Sequence, residues 1–173
     1  MTKTRQEVTL EGDPVTLVGS EPELSEAAPD FMAVDTQLDT VPFSSLGNKI
    51  FVLSSVVSLD TPVCDAETKK FNEQATEFGE DVEVITISMD LPFAQERWCG
   101  AEGVDRVRTL SDYRDASFGL AYGVLMKDLR LLARAIFVVD GDRKLRYKQI
   151  VPEVTDEPDY EPVLDCLRKL TQE

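Results

Sequence analysis

The sequence predicts an α/β fold in which helices cover both faces of a central mixed sheet. Two stretches carry this prediction, IFVLSSVV at 50–57 and VEVITISMD at 82–90, because both are rich in apolar and β-branched residues. Such runs are typical of strands buried on both faces. Helical patterns follow each of them, so the sheet is expected to be built from β-α-β units with covering helices.

An N-terminal β-hairpin is predicted before these strands. The segment EVTLEGDPVTLVG (7–19) alternates apolar and polar residues around Gly12-Asp13-Pro14, and this alternation is the period of a strand. After a loop with two prolines, FMAVDTQLDTVPFSSLGNK (31–49) predicts a short strand, a turn, and then a strand or short helix.

Helical patterns follow the two buried strands. Pro62–Phe78 has helical spacing, and four positions are predicted to face the core: Ala66, Phe71, Ala75 and Phe78. LPFAQERWCG (91–100) predicts a short helix that begins near Pro92 and ends at Gly100. A further helical segment is predicted within YRDASFGLAYGV (113–124).

The C-terminal part predicts a second hairpin and a closing helix. In ARAIFVVDGDRKLRYKQIV (133–151), two strands flank the turn sequence Asp140-Gly141-Asp142. The helix DYEPVLDCLRKL (159–170) places four apolar residues on one face: Val163, Leu164, Leu167 and Leu170. Because a β-α-β unit is followed by β-β-α, this order predicts a thioredoxin-like fold.

Composition limits the possible partners. The chain has 173 residues, which fits a single domain over 1–173. It carries 18 Lys and Arg against 33 Asp and Glu, a net charge of -15, which argues against nucleic-acid and anionic-membrane binding. The acidity favours solubility, with a salt-rich host as the alternative. Neither a membrane-spanning run nor a secretory signal is apparent, so a cytoplasmic location is expected.

The absence of histidine excludes several catalytic classes. A Cys–His dyad and a Ser–His–Asp triad both need an imidazole, and the chain has no histidine. Three cysteines, Cys64, Cys99 and Cys166, form no C-x-x-C pair and make a poor tetrahedral zinc set. We therefore expect neither a metal nor another cofactor.

Cys64 lies at the predicted start of a helix. Pro62 suits the first helical position, so Thr61 becomes the N-cap and Cys64 the third helical residue. In a capping box that position holds an acidic residue, and here a thiolate would take the place of the carboxylate. Free N–H groups and the helix dipole favour an anion there. The alternative is a buried cysteine that only fills the core.

The other two cysteines have different surroundings. Cys99 lies in RWCGAEG, beside a predicted helix end and glycines that suggest a segment able to rearrange. Cys64 and Cys99 both follow the carboxyl ends of neighbouring strands, where open α/β sheets form sites. The pair suggests a redox cycle, and two unrelated thiols are the alternative. Cys166 has helical spacing with Val163 and Leu170 and is predicted to fill the core.

Four segments together identify a family. They are, in this order, SLDTPVCDAETKKFNEQA, DLPFAQERWCGAEG, LLARAIFVVD and EVTDEPDYE. With these segments the chain closely resembles the thiol peroxidase subfamily of peroxiredoxins, the atypical two-cysteine kind, and the resemblance covers nearly the whole chain.

The resemblance implies an activity and roles for four residues. It implies a thiol-dependent peroxidase that reduces hydrogen peroxide and alkyl hydroperoxides. Cys64 matches the peroxidatic cysteine and Cys99 the resolving cysteine of the same subunit. Thr61 matches the threonine that hydrogen-bonds the reacting sulfur and the peroxide, and Arg134 the arginine that holds the thiolate. The family is usually homodimeric and is recycled by thioredoxin.

One position departs from the family pattern. Peroxiredoxins show proline seven residues before the peroxidatic cysteine, and here that position is Val57. Valine keeps the apolar bulk, so we expect activity with an altered rate or solvent access. Phe93 is a candidate for an apolar wall against the tail of an organic peroxide.

Two other functions stay open from the sequence. One is a non-catalytic redox sensor or adaptor on the same fold, which would pass its disulfide to a partner protein. The other is a secreted protein with a structural Cys64–Cys99 bridge, against which the missing signal sequence counts.

Overall fold

The protein's structure, a computed structural model, describes residues 4–102 and 107–172. The strands within these residues are β1 Thr4–Leu10, β2 Asp13–Val18, β3 Met32–Val34, β4 Thr40–Pro42, β5 Ile50–Ser55, β6 Val82–Ser88, β7 Val107–Ser111, β8 Leu125–Met126, β9 Leu131–Leu132, β10 Ala135–Val139 and β11 Leu145–Ile150. The α-helices are α1 Pro62–Ala75, α2 Pro92–Glu102, α3 Ser117–Tyr122 and α4 Glu161–Thr171. Short 3-10 helices cover Phe43–Leu46 and Thr76–Asp81.

The main sheet is mixed, as predicted. Its strand order is β11-β10-β5-β6-β7-β3-β4. The strands β5, β6 and β7 run parallel, whereas β10 pairs with β5 and β11 in antiparallel fashion. The thioredoxin-like expectation is therefore confirmed. The N-terminal hairpin β1–β2 is also confirmed, and it joins β8 and β9 in a separate four-stranded sheet.

The core lies on both faces of the main sheet. Along β5, Phe51 and Leu53 face one buried cluster, and Val52 faces the other, as the two-residue period of a strand requires. The first cluster includes residues of α3 and of the small sheet. The second includes residues of α1, α2 and α4. Each fully buried Val, Leu or Phe stabilises the fold by about 1.5–3 kcal/mol, so these central strands hold the carboxyl ends of β5 and β6 in place.

Some elements differ from their prediction. The hairpin turn is Glu11–Gly12, one residue earlier than predicted, because Leu10 pairs with Asp13. The strand β7 was not predicted, since VRTLS mixes three polar residues, an arginine, a threonine and a serine, with only two apolar ones. The short strands β8 and β9 were also not predicted. The helix α2 runs through Gly100 to Glu102 instead of ending at the glycine.

The buried face of α1 differs from the predicted one. Ala66 is exposed, and the buried residues of the helix are Cys64, Glu67, Thr68, Phe71 and Ala75. The prediction failed because the buried face includes the carboxylate of Glu67 and the hydroxyl of Thr68, which find hydrogen-bond partners inside the protein. A search for apolar residues at helical spacing does not detect such positions. For α4 the four predicted core residues are buried. Among the described residues, no helix is long and apolar enough to cross a membrane.

Candidate active site

Cys64 is buried in the first turn of α1. Thr61 is the N-cap with extended backbone angles, and Pro62 begins the helix, so the predicted helix start is confirmed. Cys64 is the third helical residue and is 0% exposed. Its position beside the free N–H groups of a helix N-terminus is favourable for a thiolate.

The hydroxyl of Thr61 does not cap the helix. It donates a hydrogen bond of 2.9 Å to the carbonyl oxygen of Ser58, and no side-chain cap is formed at Thr61. The capping-box geometry expected from the sequence is therefore wrong. Because the hydroxyl donates its proton to the Ser58 carbonyl, its oxygen lone pairs remain available to accept a hydrogen bond.

Arg134, the residue before β10, extends its side chain to the same site. Its side chain is 2% exposed. Nη1 donates to Glu67 Oε2 at 2.6 Å, while Nε and Nη2 donate to the carbonyl oxygen of Val154 at 3.1 and 2.9 Å. The other oxygen of Glu67 accepts a hydrogen bond of 2.9 Å from Ser54. These bonds fix the guanidinium in one orientation.

The charge of Arg134 depends on its buried acidic neighbours. Burial lowers the pKa of Arg134, but the negative charges that a Cys64 thiolate and the Glu67 carboxylate would carry, with hydrogen bonds to both groups, raise it overall. Burial raises the pKa of Glu67 to about 6, although Arg134 acts against this shift. The guanidinium is therefore always a cation, held between a carboxylate and the sulfur. A permanent cation beside the sulfur stabilises a thiolate without any histidine.

An apolar cavity of about 150 Å³ opens beside this group. Its lining consists of Leu10, Val57, Thr61, Pro62, Val63, Arg134, Val154 and Thr155. Val57 thus supplies apolar bulk at the position where the family has proline. Phe93 is 64% exposed and is not one of the lining residues, so its predicted role as a wall is not supported by its position.

Cys99 lies in α2 and is half-buried. Its Sγ lies 3.9 Å from Thr109 Oγ1. Burial raises the pKa of the Cys99 thiol above its ordinary value, and the hydrogen bond to Thr109 offsets only part of this. Cys99 also lines an open groove of about 480 Å³, together with Asp35, Glu96 and Arg108. The thiol is therefore protonated at rest and accessible from the surface.

A hydrogen bond joins the two cysteine-bearing helices. Trp98 Nε1 donates to Asp65 Oδ1 at 2.8 Å, and Lys69 forms a 2.9 Å ion pair with the other oxygen of Asp65. Asp65 follows Cys64 and Trp98 precedes Cys99, so this bond connects the immediate neighbours of both thiols. Both cysteines are present as free thiols.

Cys166 lies apart from these groups. It is half-buried instead of filling the core, and it lines a surface cavity of about 390 Å³ with Arg146, Tyr147 and Lys169. The helix α4 presents Val163 and Leu167 to the core, and Cys166 falls at the edge of that stripe. Within 4–102 and 107–172, no group of acidic or cysteine side chains could hold a metal ion.

The sequence did not indicate Glu67 or the carbonyl of Val154 as parts of the site. A signal for Glu67 exists, because a carboxylate three residues after Cys64 lies on the same helical face. Val154 contributes only its backbone oxygen, which no residue pattern reveals.

Comparisons with known proteins show the family of the chain. The Redoxin family model matches residues 23–164. The chain is 49% identical to the thiol peroxidase of Bacillus subtilis, covering 96% of this chain and 99% of that one. It is 51% identical to the thiol peroxidase of Oceanobacillus iheyensis, covering 94% and 98%. A crystal structure of a peroxiredoxin-like protein from Aquifex aeolicus superposes with a TM-score of 0.88 at 41% identity, covering 96% and 98%. The chain therefore belongs to the Redoxin family, as a peroxiredoxin of the thiol peroxidase subfamily.

Proposed function

We propose that this enzyme reduces hydroperoxides at Cys64 and resolves the oxidised cysteine with Cys99. One observation carries the proposal: a fully buried cysteine at a helix N-terminus interacts with a fixed, buried guanidinium beside an apolar cavity. Relatives named thiol peroxidase, similar over nearly the whole chain, support the same chemistry.

The first step forms a sulfenic acid. The Cys64 thiolate attacks one peroxide oxygen, an S–O bond forms, and the O–O bond breaks. The sulfur gives two electrons, and the alkoxide or hydroxide that leaves takes a proton from solvent. Thr61 accepts the hydrogen bond of the peroxide, and Arg134 stabilises the developing negative charge, so alignment and electrostatics supply the acceleration.

The apolar cavity suits an organic tail. A volume of about 150 Å³ is that of a cavity able to hold a benzene ring. We propose that alkyl and aryl hydroperoxides place their tail against Leu10, Val57 and Val63 while the O–O group faces Arg134. Hydrogen peroxide has no organic tail, so it would contact only Thr61 and Arg134 at the polar end of the site.

The second step forms a disulfide. The Cys99 thiol attacks the sulfenic sulfur, the S–O bond breaks, and the hydroxyl leaves as water with the thiol proton. The two Cα atoms must come within about 7 Å, and Cys64 must leave its buried position in α1 for its sulfur to be reached. We propose that the first turn of α1 and the Cys99 segment of α2 unwind locally before this attack.

A dithiol protein of the thioredoxin type is proposed as the reductant. Its thiolate would attack the disulfide through the open groove at Cys99, and its second thiol would release the mixed disulfide. In the cytoplasm, glutathione and thioredoxin keep protein thiols reduced. We therefore propose that this enzyme is cytoplasmic.

We also propose that the protein is a homodimer. Three large apolar side chains near the carboxyl ends of β6 and β7 are exposed: Leu91 by 51%, Phe93 by 64% and Tyr113 by 36%. Exposed apolar groups that lie together often mark an interface. Sedimentation equilibrium is expected to give twice the chain mass, and a monomer at micromolar concentration would contradict the proposal.

Turnover with a reductant distinguishes the enzyme from a redox sensor. Reduced protein is mixed with cumene hydroperoxide, thioredoxin, thioredoxin reductase and NADPH, and NADPH oxidation is followed. We expect many turnovers per subunit in the wild type and none in Cys64→Ser. Oxidation that stops after one equivalent of peroxide would favour the sensor.

A further inference from the structure

The carboxylate of Glu153 holds two segments of the chain together. One oxygen accepts hydrogen bonds from Thr9 Oγ1 at 2.9 Å and Gly12 N at 2.8 Å. The other accepts from Glu11 N at 3.1 Å and from the amide and hydroxyl of Thr155 at 2.9 and 2.8 Å. The turn of the N-terminal hairpin is thus tied to the loop that follows β11.

The turn needs this support because of its backbone conformation. Both of its residues have positive φ, 50° at Glu11 and 86° at Gly12. A two-residue turn of this kind favours Asn or Asp at the first position, and a glutamate there is unfavourable. The local sequence therefore fixes this turn poorly, and the two N–H bonds to Glu153 supply the missing constraint.

The carboxylate is charged under all ordinary conditions. Hydrogen bonds from the backbone N–H groups of Thr155 and Gly12 lower the pKa of Glu153 to about 2. A charged acceptor makes stronger hydrogen bonds than a neutral one. The connection between the turn and the loop should therefore not vary with pH in the neutral range.

The residues fixed by Glu153 adjoin the peroxide cavity. Leu10 precedes the turn and Thr155 lies two residues after Glu153, and both line the cavity beside Cys64. In the part of the chain that the structure describes, the guanidinium of Arg134 makes its own hydrogen bonds to Glu67 and the Val154 carbonyl and none to the Glu153 carboxylate. Val154 is itself joined to Thr9 by a backbone bond of 2.9 Å.

We propose that Glu153 is a positioning residue for substrate selection, which holds Leu10 and Thr155 as the outer wall of the peroxide cavity. The inference rests on the proposed function. Because hydrogen peroxide has no tail to contact this wall, Glu153 governs the rate with bulky organic hydroperoxides and leaves the rate with hydrogen peroxide nearly unchanged.

The test compares two peroxides in a set of matched variants. Fully reduced Glu153→Gln, Leu10→Ala, the double variant and wild type react with cumene hydroperoxide or hydrogen peroxide, and rapid alkylation with mass spectrometry gives the rate constant for Cys64 oxidation. The control is Asp156→Asn, which removes an exposed carboxylate of the same loop. Far-UV circular dichroism and urea unfolding show independently that each variant is folded.

The expected result is a loss of selectivity. The ratio of the cumene hydroperoxide rate to the hydrogen peroxide rate falls about tenfold in Glu153→Gln and Leu10→Ala. The double variant falls no further than Leu10→Ala, because both changes act on one wall. Asp156→Asn keeps the wild-type ratio.

Three results would overturn the inference: an unchanged ratio in Glu153→Gln, an equal loss with both peroxides, or a double variant whose loss is the product of the single losses. A wild-type protein whose Cys64 reacts with neither peroxide would overturn the proposed function itself, and the inference with it.

Discussion

At the residue scale, we propose that a guanidinium performs the task that histidine has in many thiol enzymes. Arg134 is 2% exposed and its hydrogen-bonding groups are directed by Glu67 and Val154. It cannot accept the proton of Cys64, but a thiolate already formed needs only stabilisation. In the proposed mechanism a buried cation and a helix N-terminus supply this stabilisation, so no imidazole is required.

Replacing Arg134 by lysine is expected to slow peroxide attack strongly. Lysine keeps the charge but cannot bond Glu67 and the Val154 carbonyl while also facing the sulfur. The rate constant for Cys64 oxidation should fall about 100-fold, the usual cost of losing a positioned transition-state donor. Arg168→Lys, an exposed arginine in α4, is the control for the substitution itself. A rate within twofold of wild type in a folded Arg134→Lys would contradict this role.

Thr61 provides a second prediction at this scale. In Thr61→Ser the hydroxyl can still donate to Ser58 and accept from the peroxide, so attack should proceed at nearly the wild-type rate. In Thr61→Val both bonds are lost, and the rate should fall about tenfold. Stopped-flow oxidation of Cys64 measures both variants. Equal rates in valine and serine variants would show that the hydroxyl has no part in the reaction.

At the element scale, α3 depends on a buried carboxylate. Asp112 accepts hydrogen bonds of 2.9 Å from the backbone N–H groups of Phe118 and Gly119, while the N-cap residue Ala116 has a left-handed backbone and offers no side-chain cap. Burial raises the pKa of Asp112 to about 6, although the bonds to Gly119 and Phe118 act to lower it.

The raised pKa of Asp112 predicts how stability varies with pH. A carboxyl whose pKa is higher in the folded state stabilises the fold below pH 4, and this contribution is lost as pH rises through about 6. Over that interval it amounts to about 3 kcal/mol. In Asp112→Asn, urea unfolding at several pH values should show a smaller fall in stability from pH 4 to 7. Glu67 titrates in the same direction, so part of the fall should remain, and a pH dependence identical to wild type would contradict the assignment.

The bond between α1 and α2 predicts an effect on the second chemical step. Trp98→Phe removes the donor to Asp65 and keeps an aromatic ring, so local opening should cost less and disulfide formation should be about fivefold faster. Quenched samples analysed by mass spectrometry give this rate after a single addition of peroxide. Lys69→Met, which removes the ion pair to Asp65 and keeps the indole donor of Trp98, is the comparison. Slower disulfide formation in Trp98→Phe would show that the indole assists the opening instead of opposing it.

At the scale of the whole molecule, the parts predicted from sequence were those set by local pattern. The strands β5 and β6 were visible because nearly every residue in them is buried. The start of α1 was visible because Pro62 and its preceding threonine form a local signal. Such features depend on residues that are close in sequence, so one sequence is enough to recognise them.

The parts that were missed depend on contacts between distant residues. Glu67, in α1, forms a salt bridge with Arg134, the residue before β10, and the burial of this carboxylate is explained only by that distant partner. The strand β7 owes its place to pairing with β6. The turn at Glu11 is explained by Glu153, which lies far along the chain. No local pattern contains these pairs.

We propose that Cys64 reduces the peroxide and then forms a disulfide with Cys99 of the same chain. The most direct measurement is disulfide mapping of the reduced protein after one equivalent of cumene hydroperoxide, by proteolysis and mass spectrometry. We expect a single cross-linked peptide pair that contains Cys64 and Cys99, at the mass of one chain, with Cys166 still a free thiol. A Cys64 that remains a thiol, or a disulfide that includes Cys166, would contradict it.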